Sequence, residues 1–222
     1  MTGFYKFLHT LLKGILKVFL NVRIVGKENR PKKGDGPYII CANHISAIDP
    51  VAIAISINYI QPHYLGKQEI EKNKLARWFF KNIGVVPVTR SGNDVGALKT
   101  TIKLLNDGKS IGIFPQGKRY PGVDPRTTKA KIGLGMIQSY AGADILPIYI
   151  HSKGNAAKLF RRKTLIMGKP ITAEEIGKMG RGTAEYERIS GIIFDRICSL
   201  GEEYERSLEE KKNAKKSKKN DR

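Results

Sequence analysis

The sequence predicts an α/β fold: a mostly parallel central sheet flanked by helices, preceded by an N-terminal amphipathic helix. Three observations carry this. Uninterrupted apolar runs such as Tyr38–Ala42 (YIICA) suit strands buried on both faces. They alternate with segments of helical period, the pattern of parallel strands joined by crossover helices. The chain has 222 residues, 41% of them hydrophobic, which suits one domain with a core and excludes wholesale disorder.

The elements follow in order. Residues 4–20 (FYKFLHTLLKGILKVFL) form a helix with Lys6, Thr10, Lys13 and Lys17 on one stripe, bordered by His9. Phe4, Phe7, Leu8, Leu11, Leu12, Ile15, Val18 and Phe19 fill the other half. Val22–Val25 is a short β-branched strand, and Asn29–Gly36 a turn cluster. Tyr38–Ala42 is a strand, and Pro50 opens a helix to Ile57. His63–Gly66 reads as a short strand, Ile70–Asn82 as a helix and Val85–Val88 as a strand. In the helix, Leu75, Trp78 and Phe79 share a face that suits the core or the lining of a groove. Asp94–Asn106 is an amphipathic helix and Ser110–Phe114 (SIGIF) a buried strand. A Gly-, Pro- and Lys/Arg-rich loop spans residues 115–128. A helix over Ala130–Tyr140, strands at Ile145–Ile150 and Thr164–Met167, a short helix from Thr172 and a long one from Thr183 complete the chain. There is no internal repeat.

Charge limits the partners. Forty Lys and Arg against twenty Asp and Glu leave a net +20, which calls for a polyanion: nucleic acid or an anionic membrane surface. Residues 211–222 (KKNAKKSKKNDR) hold seven Lys and Arg against one Asp and no apolar anchor, predicting a disordered tail. Such a tail either attracts anionic headgroups or merely solubilises. The N-terminal helix discriminates better. Its uncharged runs are far shorter than the ~20 residues that span a bilayer, and lysines interrupt its middle, unlike a secretory signal. Lysines at headgroup level with Phe and Leu below describe an interfacial helix. The two ends therefore favour lipid over nucleic acid, for which no basic patch interleaved with aromatics is present. The expected organisation is an interfacial helix over 1–21, a globular domain over 22–210 and a basic tail over 211–222. The expected location is the cytoplasmic face of a membrane, peripheral or monotopic. Cys41 and Cys198 form neither a disulfide scaffold nor a metal-ligand spacing; a reducing milieu is the simplest reading, with no metal and Cys41 as a small buried hydrophobe.

In open α/β sheets functional groups collect beyond the carboxyl ends of strands. Two such places stand out. After Tyr38–Ala42 comes Asn43-His44-Ile45-Ser46-Ala47-Ile48-Asp49-Pro50. A tight loop there folds Asp49 back onto one imidazole nitrogen of His44, leaving the other to take a proton. Asp before Pro is also an ordinary helix start, and His44 alone is also consistent with a structural role. After Ser110–Phe114 comes Phe114-Pro115-Gln116-Gly117-Lys118-Arg119, where Gly117 allows close backbone approach and Lys118 and Arg119 can meet a phosphate. His63 and His151 have no acidic partner at a telling spacing, and Lys158–Lys163 could touch headgroups or form a solvated turn.

Together, Asn43-His44-x4-Asp49 and the later Phe-Pro-x-Gly-x-Arg resemble the glycerolipid acyltransferase family, whose best-known members act on 1-acylglycerol-3-phosphate (lysophosphatidic acid). The likeness runs from about Tyr38 to Pro170. It takes in Lys67-x-Glu69, Gly84, Pro87, Arg90, Lys131-x-Gly133 and Leu146-Pro147-Ile148. The resemblance implies that His44 is the general base that deprotonates a glycerol hydroxyl, that Asp49 orients it, and that the acyl group passes directly from an acyl thioester. It implies that Lys67, Arg90 and Arg119 meet the acceptor phosphate, with Gln116, Gly117 and Lys118 in the same binding loop. It implies no cofactor beyond the thioester co-substrate, acyl-CoA or acyl carrier protein, and a lyso-phospholipid acceptor. A main-chain N–H near the His44 loop is expected to hold the thioester oxyanion.

The chain departs from the usual Phe-Pro-Glu-Gly-Thr-Arg-Ser: Gln116, Lys118 and Tyr120 replace Glu, Thr and Ser. Lys74 and Arg77 stand where Pro and Gly are common. The expected product is phosphatidic acid. The alternatives are another lyso-lipid acceptor, or a catalytically weak membrane-binding relative in which Gln116 marks lost acceptor binding.

Overall fold

The computed structural model describes residues 1–67, 73–88, 95–156, 160–177 and 180–220. Helix α1 (Gly3–Phe19) is followed by β1 (Val22–Val25), β2 (Tyr38–Ala42), α2 (Asp49–Ser56), β3 (Tyr64–Lys67), α3 (Lys74–Asn82), β4 (Val85–Val88) and α4 (Val95–Asn106). Then come β5 (Ile111–Ile113), α5 (Gly133–Ala141), β6 (Asp144–Ser152), β7 (Lys163–Met167), α6 (Ala173–Ile176) and α7 (Thr183–Asn220). Five strands form the main sheet in the order β1-β7-β6-β2-β5. All its pairings are parallel except β6 with β7. Strands β3 and β4 pair in parallel as a second sheet, joined to the β5 edge by a bridge between His63 and Ile111.

Strand β2 is central and buried along its whole length, which is why its sequence reads as continuous apolar residues. Its side chains alternate between two cores. Ile40 and Ala42 face a cluster with Ile53, Ile57, Leu146 and Leu165, under α1 and α2. Ile39 and Cys41 face another with Leu134, Ile189, Ile193 and Phe194, under α4, α5 and α7. Cys41 is a free, fully buried thiol, and burial pushes its pKa up. Because β2 and β5 are parallel neighbours (Ile39↔Ile111, Cys41↔Ile113), the loops that follow them leave the same edge of the sheet.

Three expectations need correction. The C-terminal tail is helical rather than disordered: α7 continues to Asn220, with residues 211–218 exposed. After Gly201 it meets no Gly or Pro; Glu, Lys, Arg, Leu and Ala make up most of it, and its terminal lysines complement the helix dipole. Of the two readings of the α3 aromatic face, core is the one that fails: Leu75 and Trp78 are 74% and 51% exposed, while Phe79 lines a cavity beneath α1. On α1, only Tyr5 is buried within the helix, and Lys13 turns inward to bond the Asn58 side chain instead of lying wholly in water. Phe7, Leu11, Ile15 and Val18 remain exposed on its outer face, and Phe4 packs on Trp78 with ring centroids 4.7 Å apart. No helix among the described residues is long and apolar enough to cross a membrane.

Candidate active site

The tight loop predicted after β2 is present. Asp49, fully buried at the first position of α2, turns its Oδ2 back to accept from the N–H groups of Ile45 and Ser46, each at 2.8 Å. The same oxygen lies 2.8 Å from His44 Nδ1. Asp49 therefore starts the helix and holds the histidine; the two readings of its position in the sequence are both met. With Nδ1 engaged, Nε2 is the free nitrogen, without a hydrogen-bond partner among the described residues. The imidazole stacks on Phe114 at 3.9 Å between centroids, so the residue that ends β5 sets the ring plane.

His44 stands in the wall of a largely apolar cavity of about 430 Å³ between the β5 edge, β3, α4 and α5. Phe114, Gly117, Lys131 and Tyr64 share that wall. Tyr64 lies across β5, where a Cβ on Gly112 would come within 2.1 Å of its ring; glycine is what lets the ring in. Gly117 has φ +73° and touches Lys131, so the loop turns in a left-handed conformation beside the cavity. Lys118 and Arg119 follow, both exposed, with Lys118 5.0 Å above the Tyr120 ring. The Tyr120 N–H donates to the His44 carbonyl at 2.8 Å, which fastens this basic turn to the histidine loop.

Gln116 lies elsewhere than predicted. It is 1% exposed, and both ends of its amide are engaged within the protein. Oε1 accepts the His44 N–H at 2.7 Å, and Nε2 donates to Thr128 Oγ1 at 2.8 Å. Gln116 braces the site from behind, with no polar atom left for a ligand. The expected oxyanion donors near His44 are also engaged, since the N–H groups of His44, Ile45 and Ser46 go to Gln116 and Asp49. Arg90 lies outside the described residues, as does the side chain of Lys67; the Lys67 backbone ends β3, opposite Val88.

Two residues outside the expected site set border the cavity: Lys131, part only of the family likeness, and His63, read as having no acidic partner. Lys131 supplies a cation to its wall, and its N–H donates to the Pro115 carbonyl at 2.8 Å. His63 also lines it, with Nδ1 3.0 Å from the Ser110 carbonyl; burial holds its pKa below 6.5. Only contact across strands that are distant in sequence reveals them. His151, by contrast, lies away from the cavity, 3.6 Å from Glu205.

Comparison with known proteins places the chain in a family. A sequence model of the Acyltransferase family matches residues 21–151. The chain is 32% identical over 169 residues to the 1-acyl-sn-glycerol-3-phosphate acyltransferase of Bacillus subtilis, covering 75% of this chain and 82% of that protein. It is 33% identical over 190 residues to the enzyme of that name from Borreliella burgdorferi, covering 80% and 70%. The crystal structure of the 1-acyl-sn-glycerophosphate (LPA) acyltransferase PlsC from Thermotoga maritima superposes with a TM-score of 0.63 over 89% of this chain and 81% of that one, at 21% identity, and so shares the fold. The match of the family model spans the His44 loop, the Gln116 loop and the strands that bring them together, and on that ground the chain belongs to the acyltransferase family.

Proposed function

We propose that the protein transfers a fatty acyl group from an acyl thioester to the free hydroxyl of 1-acylglycerol-3-phosphate, forming phosphatidic acid, at a membrane surface. The observation that carries the chemistry is the 2.8 Å contact between His44 Nδ1 and Asp49 Oδ2 at the wall of an apolar cavity. His44 Nε2 takes the proton of the glycerol hydroxyl as that oxygen attacks the thioester carbonyl carbon. The tetrahedral oxyanion then re-forms its carbonyl, the C–S bond breaks, and the leaving thiolate takes the proton back from His44. Asp49 stabilises the transient imidazolium and keeps the acceptor nitrogen aimed outward. No covalent acyl-enzyme is required.

The acceptor assignment rests on the names of the relatives together with the cations beside the cavity. Lys131 in the cavity wall, the exposed Lys118 and Arg119 of the adjoining turn, and Lys67 and Arg90 are the residues proposed to meet the phosphate. Gln116 supports this reading indirectly: being buried, it does not alter the charge an acceptor meets. Membrane contact is supported by the exposed apolar faces of α1 and α3, flanked by lysines, the pattern of an interfacial helix. The test is acylation of lysophosphatidic acid, against a panel of other lyso-lipids, by wild type and His44→Ala with acyl-CoA and acyl carrier protein donors. His44→Ala is expected to lose about 10²–10⁴-fold in kcat while its circular dichroism is unchanged. Full activity in that variant would overturn the mechanism; preference for another acceptor would overturn the substrate.

A further inference from the structure

A second cavity, of about 350 Å³, lies beneath α1, with walls from α1, α2, α3 and the strand edge. Leu8, Leu12 and Leu16 line it at four-residue intervals, so it runs along the helix. From Tyr5 to Leu16 that is about 16 Å at 1.5 Å per residue. The helix is tied down at both ends. Thr2 donates to Gln61 Oε1 at 2.8 Å and to the Asn82 carbonyl at 2.9 Å; at the other end buried Lys163 donates to the Leu20 carbonyl at 3.3 Å. Between these ties α1 touches α3 through Phe4, Lys13 bonds Asn58 just after α2, and the cavity lies between those contacts.

Two features point to an occupant. Pro50 and Tyr64 line both this cavity and the one at His44, so the two chambers share a partition. Tyr5 lines the second chamber, is 7% exposed, and its hydroxyl has no hydrogen-bond partner among the described residues. Such an orphan is rare in a native interior. Burial pushes the Tyr5 hydroxyl up to about 12, so it stays a neutral donor, and Tyr5 lines the same chamber as Tyr64 of the partition. The same helices carry the exposed apolar faces through which a lipid would arrive.

We propose that the chamber under α1 holds the acyl chain already present on the lyso-lipid acceptor, with the Tyr5 hydroxyl donating to the ester carbonyl of that chain. A two-chain product needs two apolar chambers that converge on the reacting hydroxyl. The transferred chain occupies the His44 chamber. The resident chain's ester is adjacent to the glycerol, so its carbonyl belongs near the partition, in the chamber that Tyr5 lines. This assignment rests on the acyl-transfer reading.

The test compares wild type, Ala54→Phe and Tyr5→Phe. Ala54 lines the chamber, and phenylalanine there fills it. Initial rates are measured with oleoyl- and hexanoyl-lysophosphatidic acid, and separately across donor chain lengths. Ala54→Phe is expected to raise KM for the oleoyl acceptor about tenfold or more, with little change for hexanoyl acceptor or donor profile. Tyr5→Phe, which removes one oxygen, is expected to raise KM for both acceptors about threefold or more while raising Tm, because the orphan hydroxyl is gone. A shifted donor profile, or acceptor KM unchanged in both variants, overturns the proposal. Binding of oleoyl-lysophosphatidic acid without donor separates the two claims. If wild type acylates no lysophosphatidic acid yet binds it, and Ala54→Phe does not, the function fails and the chamber stands; equal binding overturns the chamber.

Discussion

Gln116 holds His44 by its backbone: the amide oxygen accepts the His44 N–H at 2.7 Å while the amide nitrogen donates to Thr128 Oγ1. The Thr128 hydroxyl in turn donates to the Pro125 carbonyl at 2.6 Å. Proton directions are thus consistent along the chain from His44 to Pro125, and the histidine loop is braced against the loop that carries Lys118 and Arg119.

That relay predicts what Gln116→Glu does. A carboxylate still accepts from His44, but its second oxygen can no longer donate. Thr128 must turn its hydroxyl toward it and abandon Pro125. The cost is one part-buried hydrogen bond plus desolvation of the buried carboxylate, at least about 1 kcal/mol, read as a drop of a few degrees or more in Tm. Acceptor preference across a lyso-lipid panel is expected to stay the same, because the side chain is buried. A changed acceptor profile would contradict the geometry. Gln116→Ala, which strands the His44 N–H, is expected to cost more in both Tm and kcat.

Asp49→Asn tests the other side of the histidine. Oδ2 accepts from His44 and two backbone N–H groups, so the loop and the charge depend on one atom. Asparagine can keep the two backbone bonds and accept from His44 Nδ1, but it removes the charge that stabilises the imidazolium. A fall in kcat of about 10²-fold or more is expected, with KM for the acceptor nearly unchanged. Asp49→Ala should also lower Tm, since it removes a helix start.

These two residues mark how far the sequence could be read. Strand β2 was legible because burial along its whole length leaves no room for polar residues, β5 because it is a short apolar run, and the His-x4-Asp spacing required only a tight loop. Gln116 was legible as a motif position but not in its orientation, because a neutral amide gives no sign of whether it faces ligand or protein. His63 and Tyr64 enter the site through contacts with β5 that no local pattern encodes, whereas Lys131 was legible as part of the Lys131-x-Gly133 likeness but not as a wall of the cavity. The aromatic face of α3 shows that an apolar stripe reports what avoids water, not whether protein or lipid covers it.

A dependence on pH follows from three histidines. His9, His63 and His151 each have their pKa lowered from 6.5, chiefly by burial. Folding thus favours their neutral forms, and between the folded values and 6.5 the unfolded chain binds more protons. Their contribution to stability is complete above pH 6.5 and declines as pH falls through that window. Tm should be level from pH 7 to 8 and drop by several degrees toward pH 5, with a shallower drop in His151→Gln. A Tm that rises on acidification would contradict the assignment.

The outer face of α1 offers a test of membrane contact that leaves the core alone. Phe7 and Leu11 are 62% and 56% exposed, so Phe7→Asp with Leu11→Asp should leave Tm within a few degrees of wild type. The same pair should reduce binding to anionic vesicles by at least about tenfold, since each buried apolar side chain contributes roughly 1.5–3 kcal/mol on leaving water. Unchanged co-sedimentation would remove this face from the interface.

The helical tail changes what its charge can do. In a disordered chain the lysines would be spread over many conformations, whereas the helix sorts them. Lys211, Lys215 and Lys218 fall on one stripe and Lys212 and Lys216 on the next, with Asn213, Ala214 and Ser217 behind them. One broad basic face can therefore lie against a surface at once, at roughly 1 kcal/mol per lysine that reaches it. Two variants separate order from charge. Ending the chain after Glu210 should weaken binding to anionic vesicles by at least about tenfold at low salt, and the deficit should shrink at high salt as screening shortens. Ala214→Pro keeps every charge but breaks the helix in its exposed interior. It should fall between wild type and the truncation, with Tm unchanged because the buried contacts of α7, from Ile189 to Gly201, lie before the break. If Ala214→Pro binds as tightly as wild type, the lysines act only as a diffuse cloud and the helical face has no part in membrane binding.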